Sequence, residues 1–192
     1  MLQSAEEALA VSREQNFPMF LGLGNIMRGW CLAAMGEAVE GVPLLTQGIA
    51  LRRDAGCYLT LPLFLMTLAE AYGMASQPGE GLNRLAEAGQ LTEKTQERWA
   101  EAEIHRLRGV LLLSVRECAA AEESYHHAIA VARRQSAKFW ELRAATSLAC
   151  VWRDQGKLLE ARNLLAPIYG WFTEGFDTLD LKEAKALLDE LA

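Results

Sequence analysis

Residues 8–20 read ALAVSREQNFPMF and residues 128–140 read AIAVARRQSAKFW, identical at five of thirteen positions across a separation of 120 residues. That separation is three periods of 40, and the same period surfaces wherever small residues sit inside helical patterns. One small column runs Gly29, Ala69, Gly109, Ala149. A second, twelve residues on, runs Gly41, Gly81, Ala121, Ala161, and four residues later a bulky column follows: Leu45, Leu85, Tyr125, Leu165. A third small column, Ala8, Gly48, Ala88, Ala128, is broken only by Ile168.

Within each period the apolar residues recur at intervals of three and four, as in Leu61, Phe64, Leu65, Leu68, Tyr72 or Ile104, Leu107, Leu111, Val115, which is the helical spacing. Each unit therefore reads as two antiparallel helices joined by a short turn. The spacing predicts first helices near 18–35, 59–75, 98–115 and 139–154, and second helices near 38–54, 80–95, 118–136 and 158–171. The small columns mark where paired helices cross closely, and the bulky column fills the gap beside each crossing. The fold expected is all-α, an α-α superhelix of about four helix pairs in one domain, 1–192. It comprises a half-repeat at 1–16, repeats at about 17–57, 58–97, 98–137 and 138–176, and a capping helix at 178–192. Asp180 with Glu183 reads as a capping box opening that last helix, with Leu181, Ala184, Leu187, Leu188 and Leu191 on its apolar face.

The order in Ala69, Tyr72, Gly81, Leu85 and Ala88 resembles the tetratricopeptide (TPR) repeat over residues 1 to about 171. Two departures stand out: the period is 40 instead of the usual 34, and arginine (Arg28, Arg108) precedes the first small residue in two repeats. The stretches RDQGKLLEARNLL (153–165) and APIYGWFTEGFDTLDLKEAKALL (166–188) resemble the C-terminal end of large bacterial signalling proteins. Those join a nucleotide-binding ATPase region, often with a class III adenylate or guanylate cyclase or a transcriptional-regulator domain, to such repeats. The resemblance implies the sensor or scaffold end of that architecture, with the catalytic parts absent from these residues.

With 51% hydrophobic and 23% charged residues, the chain carries ample apolar material for a folded unit. Its apolar runs are far shorter than a membrane span requires. Residues 1–20 hold Glu6, Glu7 and Glu14 and lack a secretory pattern, so the cytoplasm is the expected compartment. A net charge of −6 with interspersed signs excludes nucleic acid as the expected partner. Cys31, Cys57, Cys118 and Cys150 form no Cys-x-x-Cys pair and read as small buried hydrophobes. Trp99, Trp140, Trp152, Trp171, Phe172 and Phe176 read as core.

Chemistry-bearing motifs are sparse. Gly22-Leu23-Gly24 lacks the third glycine of a dinucleotide turn, and no Gly-Lys-Ser/Thr occurs. Glu123 and His126 form a single Glu-x-x-His, whereas a di-iron bundle needs two. His105 and His127 complete the histidines, and Cys118, the one candidate nucleophile, sits beside Glu117 and Glu122. No metal, no cofactor and no catalysis are expected. TPR logic instead assigns a binding groove to the inner face of the first helices, which includes Trp30, Met66, Glu70, Glu103, Arg106, Arg143 and Arg153. Such a surface suits a protein or peptide with an apolar and an acidic segment, the arginines forking onto carboxylates from exposed positions. The function expected is a non-catalytic interaction or regulatory scaffold in bacterial signal transduction. Two alternatives stay open: a small-ligand sensor of a signalling ATPase or cyclase, and a homo-oligomerisation element associating weakly through residues 1–16.

Overall fold

The computed structural model describes residues 2–15 and 17–192. Met1, Asn16 and the side chain of Ala8, the first member of the third small column, lie outside the described residues. Two compact units arise, Met1–Arg98 and Trp99–Ala192. The first holds α1 (Leu2–Glu14), α2 (Pro18–Ala34), α3 (Ala38–Asp54), α4 (Leu61–Met74) and α5 (Pro78–Thr95). The second holds α6 (Glu101–Ser114), α7 (Cys118–Arg134), α8 (Lys138–Asp154), α9 (Leu158–Tyr169) and α10 (Leu179–Glu190). The fold class is all-α and TPR-like, as read from the sequence. The helices start within three residues of their expected positions, the largest offset being α6, where a turn at Trp99 and Ala100 delays the start to Glu101.

The period is written into the turns. Backbone φ turns positive at Gly36 (93°), Ser76 (58°), Arg116 (66°) and Gly156 (79°), each 40 residues after the last. At each, the amide one residue on reaches back across the helix end: Glu37 N donates to Leu32 O (2.9 Å), Gln77 to Tyr72 (2.8 Å), Glu117 to Leu112 (3.0 Å) and Lys157 to Trp152 (2.8 Å). This is the Schellman closure, which satisfies carbonyls the helix leaves orphaned and turns the chain into the next helix. Gly56, Gln96 and Ser136 repeat the positive φ between one pair and the next.

In the first unit the small columns do what their size allows. A Cβ on Gly29 would stand 2.6 Å from the Gly41 carbonyl oxygen, and one on Gly48 would stand 2.5 Å from that of Gly22, so α2 and α3 cross backbone to backbone. In the second unit a Cβ on Gly109 would stand 2.5 to 2.8 Å from the Tyr125 ring, which is buried. Its core gathers Ala121, Ala128, Leu142, Leu148, Ala149 and Leu165, all fully buried, with Leu181, Ala184 and Leu187 from α10.

The capping-box reading of α10 is corrected. The helix begins at Leu179 behind Thr178, which makes no side-chain cap, so Asp180 lies inside the first turn. Its carboxylate is drawn instead to Arg143 Nε at 3.3 Å. Nor is α10 only a cap: it packs on α8 and α9 as α8 packs on α6 and α7, which is the position of a first helix.

Candidate functional site

The second unit concentrates the charged residues of the expected groove on α6, α8 and α10. Glu103 is buried (4% exposed) and is gripped by Arg106 through two bonds, Nε to Oε2 and Nη2 to Oε1, both 2.8 Å. Arg143 adds Nη2 at 3.1 Å to the same carboxylate, reaches Asp180 through Nε, and lies over the Trp140 ring at 5.5 Å. The period explains the meeting: Glu103 and Arg143 occupy the same position of successive first helices, and the next occupant is Glu183. Arg106, Arg143, Thr146, Ser147, Asp180 and Glu183 enclose a small polar cleft of about 70 Å³. Along α8, Arg153 donates Nη1 to Glu190 of α10 at 2.7 Å, and its Nε contacts Asp154 at 3.0 Å. These two hydrogen bonds hold the Arg153 guanidinium above its usual pKa.

The arginines are therefore not the exposed, uncommitted groups expected from the sequence. The Arg106 side chain is only 12% exposed and neutralises a buried carboxylate, whereas Arg143 and Arg153 keep 30% and 35%. In the first unit Met66 is buried, and Trp30 and Glu70 are half-buried.

A second polar cluster lies between α6 and α7. His105 and His127 stack with ring centroids 4.2 Å apart, and with Arg108, Glu123 and Ser124 they line a recess of about 150 Å³. Burial, reinforced by the electrostatic influence of the neighbouring His127, Arg108 and Arg134 and opposed by Glu101, lowers the His105 pKa to about 4. The partner of this recess is His127, one residue past the His126 singled out in the Glu-x-x-His reading. The period held the signal: His105 and His127 stand 80 residues after Asn25 and Gln47, which themselves meet at 3.4 Å. Among the described residues no group of three His, Cys, Asp or Glu is placed to hold a metal ion. His126 instead pairs with Glu122 and leans on Trp152, whose Nε1 donates to Glu122 at 2.8 Å.

Two readings of burial need correction. Cys31 is buried and Cys57 and Cys150 are half-buried, but Cys118 is exposed, because it opens α7 directly behind the turn at Arg116. Trp99, Trp171 and Phe176 are 48%, 58% and 46% exposed because they fall in connections outside the helices. Among the described residues no helix is long and apolar enough to cross a membrane.

No protein-family model matches the chain, and no curated protein matches its sequence. Solved structures do match. The nearly identical TPR-like repeats of a Podosopora anserina protein assigned as a kinesin light chain align with TM-score 0.66 at 18% identity, over 91% of this chain and 86% of that one. A second structure of those repeats, carrying a single substitution, gives 0.65 at 18% identity, over 91% and 85%. MamA aligns with TM-score 0.55 at 15% identity, over 98% and 87%. At such identities the likeness shows the fold, and that fold is the TPR-like α-α repeat.

Proposed function

We propose that this chain is a non-catalytic interaction module that holds an acidic, partly apolar peptide or protein segment on the inner face of its first helices. One observation carries the reading: Arg143 and Arg153 already take carboxylates, Asp180 and Glu190, from a helix lying along α8. A partner presenting carboxylates in the same way meets guanidiniums aimed and partly exposed for it. In the first unit, Trp30 and Glu70 have surface to offer on the corresponding face, with Met66 beneath. TPR-like neighbours support a scaffold in general. The tail resemblance supports a place at the repeat end of a larger bacterial signalling protein in the cytoplasm.

Arg106 is left out of the test, since it makes two of the bonds to the buried Glu103 and its removal would leave that carboxylate with Arg143 alone, at a cost of about 3 kcal/mol; Arg143→Gln leaves the two Arg106 bonds in place, and melting of the variant is checked alongside capture. Arg143→Gln with Arg153→Gln is the suitable variant, retaining polar side chains at both positions. Capture from a native lysate by the immobilised chain, with mass-spectrometric identification, is expected to yield a protein that the double variant loses. Identical capture by both baits contradicts the reading.

A further inference from the structure

Ser12, Arg52, Thr92 and Ala132 stand 40 residues apart, and all four are buried. Three of them are small; Arg52 puts a guanidinium, only 7% exposed, into the same column. The first unit makes room for it. Gly22 of α2, where the later repeats have Pro62, Ala102 and Leu142, carries no Cβ, which would otherwise stand 2.9 Å from the Arg52 Cγ. The Phe64 ring of α4 lies 5.0 Å from the guanidinium. The turn at Gly56 folds Cys57 back onto the end of α3, where its amide donates to the Arg52 carbonyl at 2.9 Å.

Among the described residues Arg52 meets no carboxylate. Its Nη2 donates to the Cys57 sulfur at 3.0 Å and to the Leu59 carbonyl oxygen at 3.4 Å, and its Nε is buried with no acceptor. A guanidinium keeps its charge at any ordinary pH, and a buried charge without a counter-charge is costly. Nε and Nη2 share the edge by which arginine forks onto an anion: Arg106 presents these same two atoms to Glu103, both at 2.8 Å. On Arg52 that edge has a sulfur on one nitrogen and nothing on the other.

We propose that Cys57 is a site of oxidation by peroxide, and that its product is a sulfinate held on the Nε and Nη2 edge of Arg52. The half-buried sulfur attacks one oxygen of hydrogen peroxide. The S–O bond forms, the O–O bond breaks, and the thiol proton leaves with the other oxygen as water, giving a sulfenic acid. A second peroxide delivers another oxygen to the sulfur in the same way and again leaves as water, and the sulfinic proton passes to solvent. Sulfur is oxidised at each step and each peroxide is reduced. The sulfinate brings the two oxygens and the negative charge that the Arg52 edge lacks. The other three cysteines accept no hydrogen bond from a guanidinium among the described residues. Cys31 is buried and Cys118 is exposed; burial pushes the Cys150 thiol up, with Arg153 opposing and Asp154, Glu190 and Glu183 adding to it. No residue of this site belongs to the arginine face, so its failure and that of partner capture are read on different substitutions.

The test exposes the reduced 192-residue chain to hydrogen peroxide and follows each cysteine by mass spectrometry of its peptide. Cys57 is expected to gain two oxygens before Cys118 does, although Cys118 is the more exposed. Arg52→Met keeps much of the side-chain volume and removes the charge; it should slow the gain at Cys57 about tenfold and leave Cys118 unchanged. Circular dichroism is expected to show this variant folded, since an unpaired buried charge is exchanged for an apolar side chain. A second measurement needs neither oxidant nor a change at Arg52. Cys57→Asp, whose carboxylate stands in for the sulfinate, should melt about 3 °C above Cys57→Ala. Oxidation of Cys57 no faster than that of Cys118, a rate that Arg52→Met leaves unchanged, or Cys57→Asp melting below Cys57→Ala overturns the proposal.

Discussion

His105 shows how one side chain reports its surroundings. Its ring is held uncharged by burial and by the electrostatic influence of His127, Arg108 and Arg134, with Glu101 pulling the other way and Glu123 on the wall of the recess. The sign follows from which state binds the proton. In the unfolded chain His105 titrates near 6.5 and in the fold near 4, so between these values only the unfolded chain is protonated. Stability should therefore fall as pH drops from about 6.5 to about 4 and change no further from this group below that. The ceiling is about 3 kcal/mol at 1.36 kcal/mol per pKa unit. Urea unfolding of the wild type and His105→Gln across pH 7 to 4 should show the variant losing less stability on acidification. Parallel pH profiles contradict the placement. Arg116 makes a similar point about backbone: a side chain sits at a φ of 66° that glycine fills at two of the four equivalent turns, so the hairpin geometry overrules local preference there.

At the scale of the helix pair, Gly109 and Tyr125 decide how closely α6 and α7 approach. A methyl at Gly109 would run into the Tyr125 ring, which is 2% exposed and has little room to move. Helix propensity alone would make Gly109→Ala stabilising by up to about 1 kcal/mol. Overpacking costs about 1 to 3 kcal/mol and should win. With Tyr125→Leu, the residue this column carries in the other repeats, the collision is removed, so Gly109→Ala should turn neutral or favourable in that background. A double-mutant cycle by urea denaturation measures this, and additive effects would show that the two side chains do not meet.

Helix bounds and small columns were legible because they depend on residues of one helix and its immediate partner. The role of Asp180 was not. Its position three residues before Glu183 suggested a cap, but Arg143, distant in sequence, offers the stronger partner. The arginine face was half legible for the same reason: the period puts Arg106, Arg143 and Arg153 on inner faces, yet it does not say that Glu103, Asp180 and Glu190 meet them there. The stacked histidines could have been read by carrying the Asn25 and Gln47 positions forward 80 residues.

At the scale of the whole molecule, the same hairpin design recurs in both units, and the functional reading rests on it. If one register governs the chain, equivalent alanines in the two units must respond alike. Ala88 of α5 and Ala128 of α7 belong to the third small column and are fully buried, while Ala86 and Ala130, two residues away on the same helices, are exposed. The decisive measurement is urea unfolding of four variants, Ala88→Leu, Ala86→Leu, Ala128→Leu and Ala130→Leu. The register predicts that Ala88→Leu and Ala128→Leu each lose about 1 to 3 kcal/mol by overpacking, and that Ala86→Leu and Ala130→Leu stay within about 0.5 kcal/mol of wild type. Equal losses at Ala88 and Ala86, or at Ala128 and Ala130, or a pattern that holds in one unit and inverts in the other, would contradict it.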